Sequence, residues 1–125
     1  ITNVYALRES LQLVAEEGLE NRWERHERVA GELKSGLQDL GLEMNSDDEF
    51  WLPSLNAVRV PDSVDDGQLL AELEEKHDLE IASGLGDLEG EILRIGCMGY
   101  SAQRKNVEFV LSALEEALAN QGYEA

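Results

Sequence analysis

The chain has 125 residues, 42% of them hydrophobic, enough for one domain that buries about two thirds of the surface its unfolded form exposes. Its 27 acidic against 10 basic residues give a net charge of −17, which repels nucleic acid phosphates and anionic lipid head groups and excludes both as partners. No apolar run approaches the roughly 20 residues of a membrane-spanning helix, nothing resembles a signal peptide, and the one cysteine, Cys97, excludes an internal disulfide and a cysteine-built metal site, so a reducing interior, the cytoplasm, is expected.

In chain order, Val4, Leu7, Leu11 and Val14 fall on one face of a first amphipathic helix that Gly18 ends or kinks. Trp23, Ala30, Leu33, Leu37 and Leu40 repeat the pattern in a second helix, which Gly41 can close in a left-handed cap. The period then changes to two. A short strand is predicted at Leu42 to Asn45, and a better one at Leu55 to Val60, closed by Pro61. Ser63 followed by Asp66 resembles a capping box that opens a third helix on Leu69, Leu70 and Leu73, ending near His77. Two further strands are predicted at Leu79 to Ala82 and Ile92 to Gly96, separated by the glycine-rich loop Ser83 to Gly90. A last helix after Ser101 buries Val107, Val110, Leu111, Leu114 and Leu118. The order α-α-β-β-α-β-β-α is that of an α/β (α+β) domain, with helices covering a small, mainly antiparallel sheet. No repeat or linker divides residues 1–125. The opening Ile1-Thr2-Asn3, without an initiator methionine, is expected of a piece that begins at a domain boundary.

The acids are scattered, as in Glu16-Glu17, Asp47-Asp48-Glu49, Asp65-Asp66 and Glu115-Glu116, and so coat a surface. With only three lysines (Lys34, Lys76, Lys105) against seven arginines, the pattern resembles proteins of salt-loving archaea, in which screening makes such charge density tolerable. A docking face for a basic partner is the competing reading.

Catalytic constellations are sparse. His26 and His77 lie far apart on helices, as surface or partly packed residues do, and no His or Cys spacing suits a metal. Gly84-x-Gly86 is a fragment of a phosphate-cradling pattern that does not lead straight into a helix. The segment Glu91-Ile92-Leu93-Arg94-Ile95-Gly96-Cys97-Met98-Gly99-Tyr100 carries more, because Arg94 interrupts an apolar strand. Alternation sends Arg94 to the face opposite Leu93 and Ile95. A covered guanidinium there needs an anion, either a carboxylate of the chain itself or that of a ligand held by two parallel hydrogen bonds.

Val4-Tyr5-Ala6-Leu7-Arg8-Glu9-Ser10-Leu11, Glu16-Glu17-Gly18-Leu19-Glu20-Asn21-Arg22-Trp23 with His26, Ile81-Ala82-Ser83-Gly84-Leu85-Gly86 and Leu93-Arg94-Ile95-Gly96 together resemble class V aminotransferases of the alanine-glyoxylate and serine-pyruvate type, in matching order along nearly the whole chain. The resemblance implies the C-terminal small domain of a fold-type I pyridoxal-phosphate enzyme, packed beside a larger cofactor-binding domain in a homodimer. It implies transfer of an amino group from a small amino acid, alanine or serine, to a 2-oxo acid, glyoxylate or pyruvate. Arg94 matches the arginine that binds the substrate's α-carboxylate, and Gly84 and Gly86 match a loop near the active site. None of the three lysines sits in a Schiff-base motif; that lysine, the aspartate on the pyridine nitrogen and the phosphate ligands belong to the large domain. This stretch is therefore expected to hold no catalytic or cofactor-binding residue of its own and not to transaminate alone. The related cysteine desulfurases carry a cysteine in a small-domain loop, but Ser83 to Gly90 contains none, and Cys97 reads as a packed small residue. A free-standing regulatory module that binds an amino acid, and a dimerisation domain using its first helices, are the alternatives.

Overall fold

Every segment with a helical apolar period is a helix, and two of the four period-two segments are full strands, in the computed structural model, which describes residues 1–124. The elements are α1 (Thr2–Glu17), α2 (Leu19–Asp39), β1 (Leu55–Arg59), α3 (Asp66–His77), β2 (Ala82–Ser83), β3 (Ile92–Gly96) and α4 (Arg104–Asn120). The strands form an antiparallel sheet in the order β1-β3-β2. The α+β class with a small antiparallel sheet is thus the observed one.

Gly18, at φ +83, breaks the first helical run from the second. At the end of α2, Gly41 adopts φ +75, its N–H bonds to Gln38 O and that of Leu42 to Leu37 O. This is the two-bond left-handed closure that the Leu40-Gly41 step suggested, with Leu37 and Leu42 both buried beneath it.

Helices α2, α3 and α4 cover the sheet face that carries Val58, Leu93 and Ile95. Leu37, Leu69, Leu73 and Leu114 are fully buried in this layer, each worth roughly 1.5–3 kcal/mol of transfer free energy. Packing between α2 and α4 is close at Gly36, where an added Cβ would stand 2.1 Å from Leu111 Cδ1. Asn56 is the one buried polar side chain of the described core; it accepts from Trp51 Nε1 and donates to Pro53 O, pinning the turn that leads into β1.

Four expectations need correction. Leu42 to Asn45 is no strand; only Met44 bridges to Val58, because the segment lies between the Gly41 turn and the bend into the acidic loop. The strand predicted at Leu79 to Ala82 shrinks to Ala82–Ser83, because Leu79 N–H is spent on Leu73 O, closing α3 behind Asp78 at φ +49. Asp65, not Ser63, caps α3: a turn from Pro61 O to Val64 N delays the helix, and the Asp65 carboxylate accepts Gln68 N–H at 2.7 Å. Finally, the apolar stripe of α1 is exposed, with Leu7 and Leu11 at 59%, and Trp23 of α2 is at 64%. Periodicity identified a face meant for burial but not what covers it. Among the described residues no helix is long and apolar enough to cross a membrane.

Candidate functional site: an arginine on the open face of the sheet

The side chain of Arg94 leaves the middle of β3 on the face away from the helices, while its neighbours Leu93 and Ile95 are only 2% and 4% exposed. Directly opposite it stand Ala57 on β1 and Ala82 on β2. Two methyl groups leave room beside the guanidinium that larger side chains would fill. Arg94 is half-buried, and its Nε donates to Ser83 O at 2.8 Å. Among the described residues neither terminal nitrogen has a hydrogen-bond partner and no carboxylate lies within ion-pair distance. Of the two anions open to a strand arginine, the internal one is therefore missing among the described residues, which leaves the terminal donors of the fork unpaired there.

Ser83 is the residue that reading the sequence missed. Its carbonyl holds Arg94, its hydroxyl donates to Asp66 Oδ2 at 3.0 Å, and its Oγ accepts the Gly90 N–H at 3.2 Å. Asp66 comes from the first turn of α3, so a helix end, an edge strand and the loop between β2 and β3 meet at one serine. A serine in a glycine-rich loop reads as turn chemistry; nothing local announces a partner 17 residues earlier.

Gly84 and Gly86 do different things. At Gly84 an added Cβ would stand 1.9 Å from Leu88 O and 3.0 Å from Ile92 Cγ1, so the loop folds back against its own base and covers Ile92. Gly86 is exposed, adopts φ +58 and opens a short 3₁₀ turn, Gly86–Leu88. The amides of Gly84, Leu88, Glu89 and Gly90 all bond within this region, to Ile92 O, Leu85 O, Gly86 O and Ser83 Oγ. They are not free to cradle a phosphate.

Beyond β3 the chain is held by the start of α2. His26 Nε2 accepts the Gly99 N–H at 2.8 Å while Nδ1 lies 2.7 Å from Arg22 O, so the ring bridges the start of α2 to the chain after β3. Arg25 donates to Gly99 O and Ala102 O and is paired with Glu17, which also binds Arg22. The two arginines hold the Glu17 carboxyl down at about 2, the Arg25 hydrogen bond contributing most. Cys97, buried between strand and clamp, has its thiol pushed up by burial. His77 stands apart, edge-on to Phe109 and 3.8 Å from Glu116.

The three lysines all lie on helices packed against the other face of the sheet. Lys34 is paired with Asp48 at 2.6 Å and rests over the Trp51 ring, Lys76 is paired with Glu72 at 2.7 Å, and Lys105 is exposed on α4. No amine faces Arg94, so the described residues do not fit the attachment of pyridoxal phosphate. They also contain no cluster of three or more metal-ligating side chains.

No family model matches the chain. Individual relatives do. The (S)-ureidoglycine–glyoxylate transaminase of Bacillus subtilis is 44% identical over 126 residues, 99% of this chain and 30% of that protein. The alanine–glyoxylate aminotransferase of Felis catus is 43% identical over 119 residues, 94% of this chain and 29% of that protein. Among solved structures, ureidoglycine–glyoxylate aminotransferase from Bacillus subtilis superposes with a TM-score of 0.93 at 42% identity, over 95% of this chain and 31% of that one. Alanine–glyoxylate aminotransferase from Nostoc sp. superposes with a TM-score of 0.89 at 40% identity, over 91% and 30%. The chain thus spans about 30% of the length of the curated relatives it matches.

Proposed function

The chain is homologous to a C-terminal portion of the class V pyridoxal-phosphate aminotransferases, and from that premise we propose that it supplies the arginine that grips a small amino acid by its α-carboxylate. The observation that carries this reading is the state of Arg94: half-buried, tied through Nε to Ser83 O, with both terminal nitrogens unpaired among the described residues. With Nε already engaged, the carboxylate binds end-on to the two terminal nitrogens. Such a two-point grip fixes the orientation of the amino acid about its Cα, which turns binding energy into geometry.

The reaction we assign to the full-length protein is transfer of an amino group from alanine or serine to glyoxylate or pyruvate. Glyoxylate has the stronger support, since it is named as substrate for the relatives at 40–44% identity. Holding the cofactor falls to the part of those relatives that this chain does not span. The uncovered stripe of α1 (Val4, Leu7, Leu11) suits packing against that same part, in a homodimer. We place the protein in a cytoplasmic, reducing compartment.

In the full-length protein, Arg94→Ala should lower kcat/KM for the amino donor by about 2–5 kcal/mol, the scale for losing one partner of a desolvated charge pair, or roughly 30-fold to several thousand-fold. An unchanged kcat/KM would remove the reading.

A further inference from the structure

We propose that Ser83 is a positioning residue for Arg94, locked by Asp66 and Gly90 so that its carbonyl sets the plane in which the guanidinium meets a carboxylate. The proposal rests on Arg94 being the carboxylate anchor.

An arginine side chain has four rotatable bonds, and one hydrogen bond at Nε removes most of the freedom of the last of them. That bond comes from Ser83 O at 2.8 Å, so the aim of the guanidinium is only as fixed as the main chain of Ser83. The main chain here is weakly determined by its own ladder. β2 is two residues long, lies at the edge of the sheet and pairs only through Ala82↔Arg94 and Ser83↔Leu93. An edge this short needs further restraint. The Ser83 hydroxyl provides it from two directions: it donates to Asp66 Oδ2 on α3 and its oxygen accepts the Gly90 N–H at the far end of the loop. Asp66 lies in the first turn of α3, where a carboxylate is electrostatically favoured, and it accepts the Ser83 hydroxyl at 3.0 Å. The hydroxyl belongs to no part of the apolar core, which separates its role from that of Leu93 on the same register pair.

The test is steady-state kinetics on the full-length protein with glyoxylate as acceptor and whichever of alanine and serine turns over faster as donor, comparing Ser83→Ala, Ser83→Thr, Asp66→Ala, Ser83→Ala/Asp66→Ala and Arg94→Ala. Ser83→Ala should raise KM for the donor about fivefold, the worth of one hydrogen bond, with kcat within about twofold. Ser83→Thr, which keeps the hydroxyl, should restore KM, and the double variant should be no worse than Ser83→Ala alone, because both changes cut one link. If Arg94→Ala weakens donor use while Ser83→Ala leaves KM untouched, the anchor stands and the positioning role is wrong. If Ser83→Ala lowers kcat and Tm together and threonine does not rescue it, Ser83 is merely structural and the proposal is overturned. If Arg94→Ala itself changes nothing, the anchor reading has failed and this proposal falls with it.

Discussion

Gly84→Ala is the sharpest perturbation of the loop that backs Arg94. The strain comes from space rather than from backbone freedom: the new Cβ would stand 1.9 Å from Leu88 O and 2.4 Å from Leu88 C, and main-chain atoms cannot swing aside as a side-chain end can. The loop must retreat by about 1 Å, an overpacking that costs about 1–3 kcal/mol. Retreat also stretches the Gly84 N–H to Ile92 O bond, now 2.9 Å, worth about 1 kcal/mol. The expected loss is about 2–4 kcal/mol, or about 6–16 °C in Tm for a domain of this size. Urea titration followed by tryptophan fluorescence measures it, with Gly86→Ala as the control. Gly86 has φ +58 but nothing within 4 Å of an added Cβ, so alanine there costs only the left-handed backbone term of about 1–2 kcal/mol. A Gly84→Ala variant within about 0.5 kcal/mol of the parent, or a larger loss at Gly86, would refute this reasoning.

Two further outcomes follow from charge. Glu17 is held at about 2 against an ordinary 4.5 by Arg25 and Arg22, so its contribution to stability is complete above pH 4.5 and disappears as pH falls from 4.5 to about 2. The stability gap between the parent and Glu17→Gln should therefore close over that window, and a gap that ignores pH would contradict the ion pair. The net charge of −17 predicts that Tm keeps rising from 0.15 M into molar salt, where the screening length shortens from about 8 Å to about 3 Å; a plateau below about 0.2 M would instead favour a docking face for a basic partner.

Much of the fold was legible because the chain alternates cleanly between two periods. Leu69 and Leu73, or Val107, Leu114 and Leu118, can be buried together only on a helix, and they are. Arg94 was legible for the opposite reason: a charge inside an apolar strand breaks the pattern. What stayed hidden depended on contacts distant in sequence. β2 owes its place to Asp66, and the chain after β3 owes its path to Arg25 and His26, with the His26–Gly99 bond spanning 73 positions. The α1 stripe was legible as the apolar face of a helix, but its exposure was not, because no residue of α1 is buried against the rest of the described chain. A ligand was never in the spacing; the one proposed for Arg94 comes from the resemblance to aminotransferases, to which the chain is 40–44% identical over about 30% of their length.

The most direct measurement is a double-mutant cycle between Arg94 and the substrate's carboxylate. In the full-length protein, single-turnover kcat/KM is determined for alanine and for ethylamine, the same amine without the carboxylate, with Arg94 and with Arg94→Ala. If Arg94 is the anchor, the substitution penalises alanine alone, with a coupling of about 2–5 kcal/mol. Equal losses for both amines, a coupling within about 0.5 kcal/mol of zero, would contradict it.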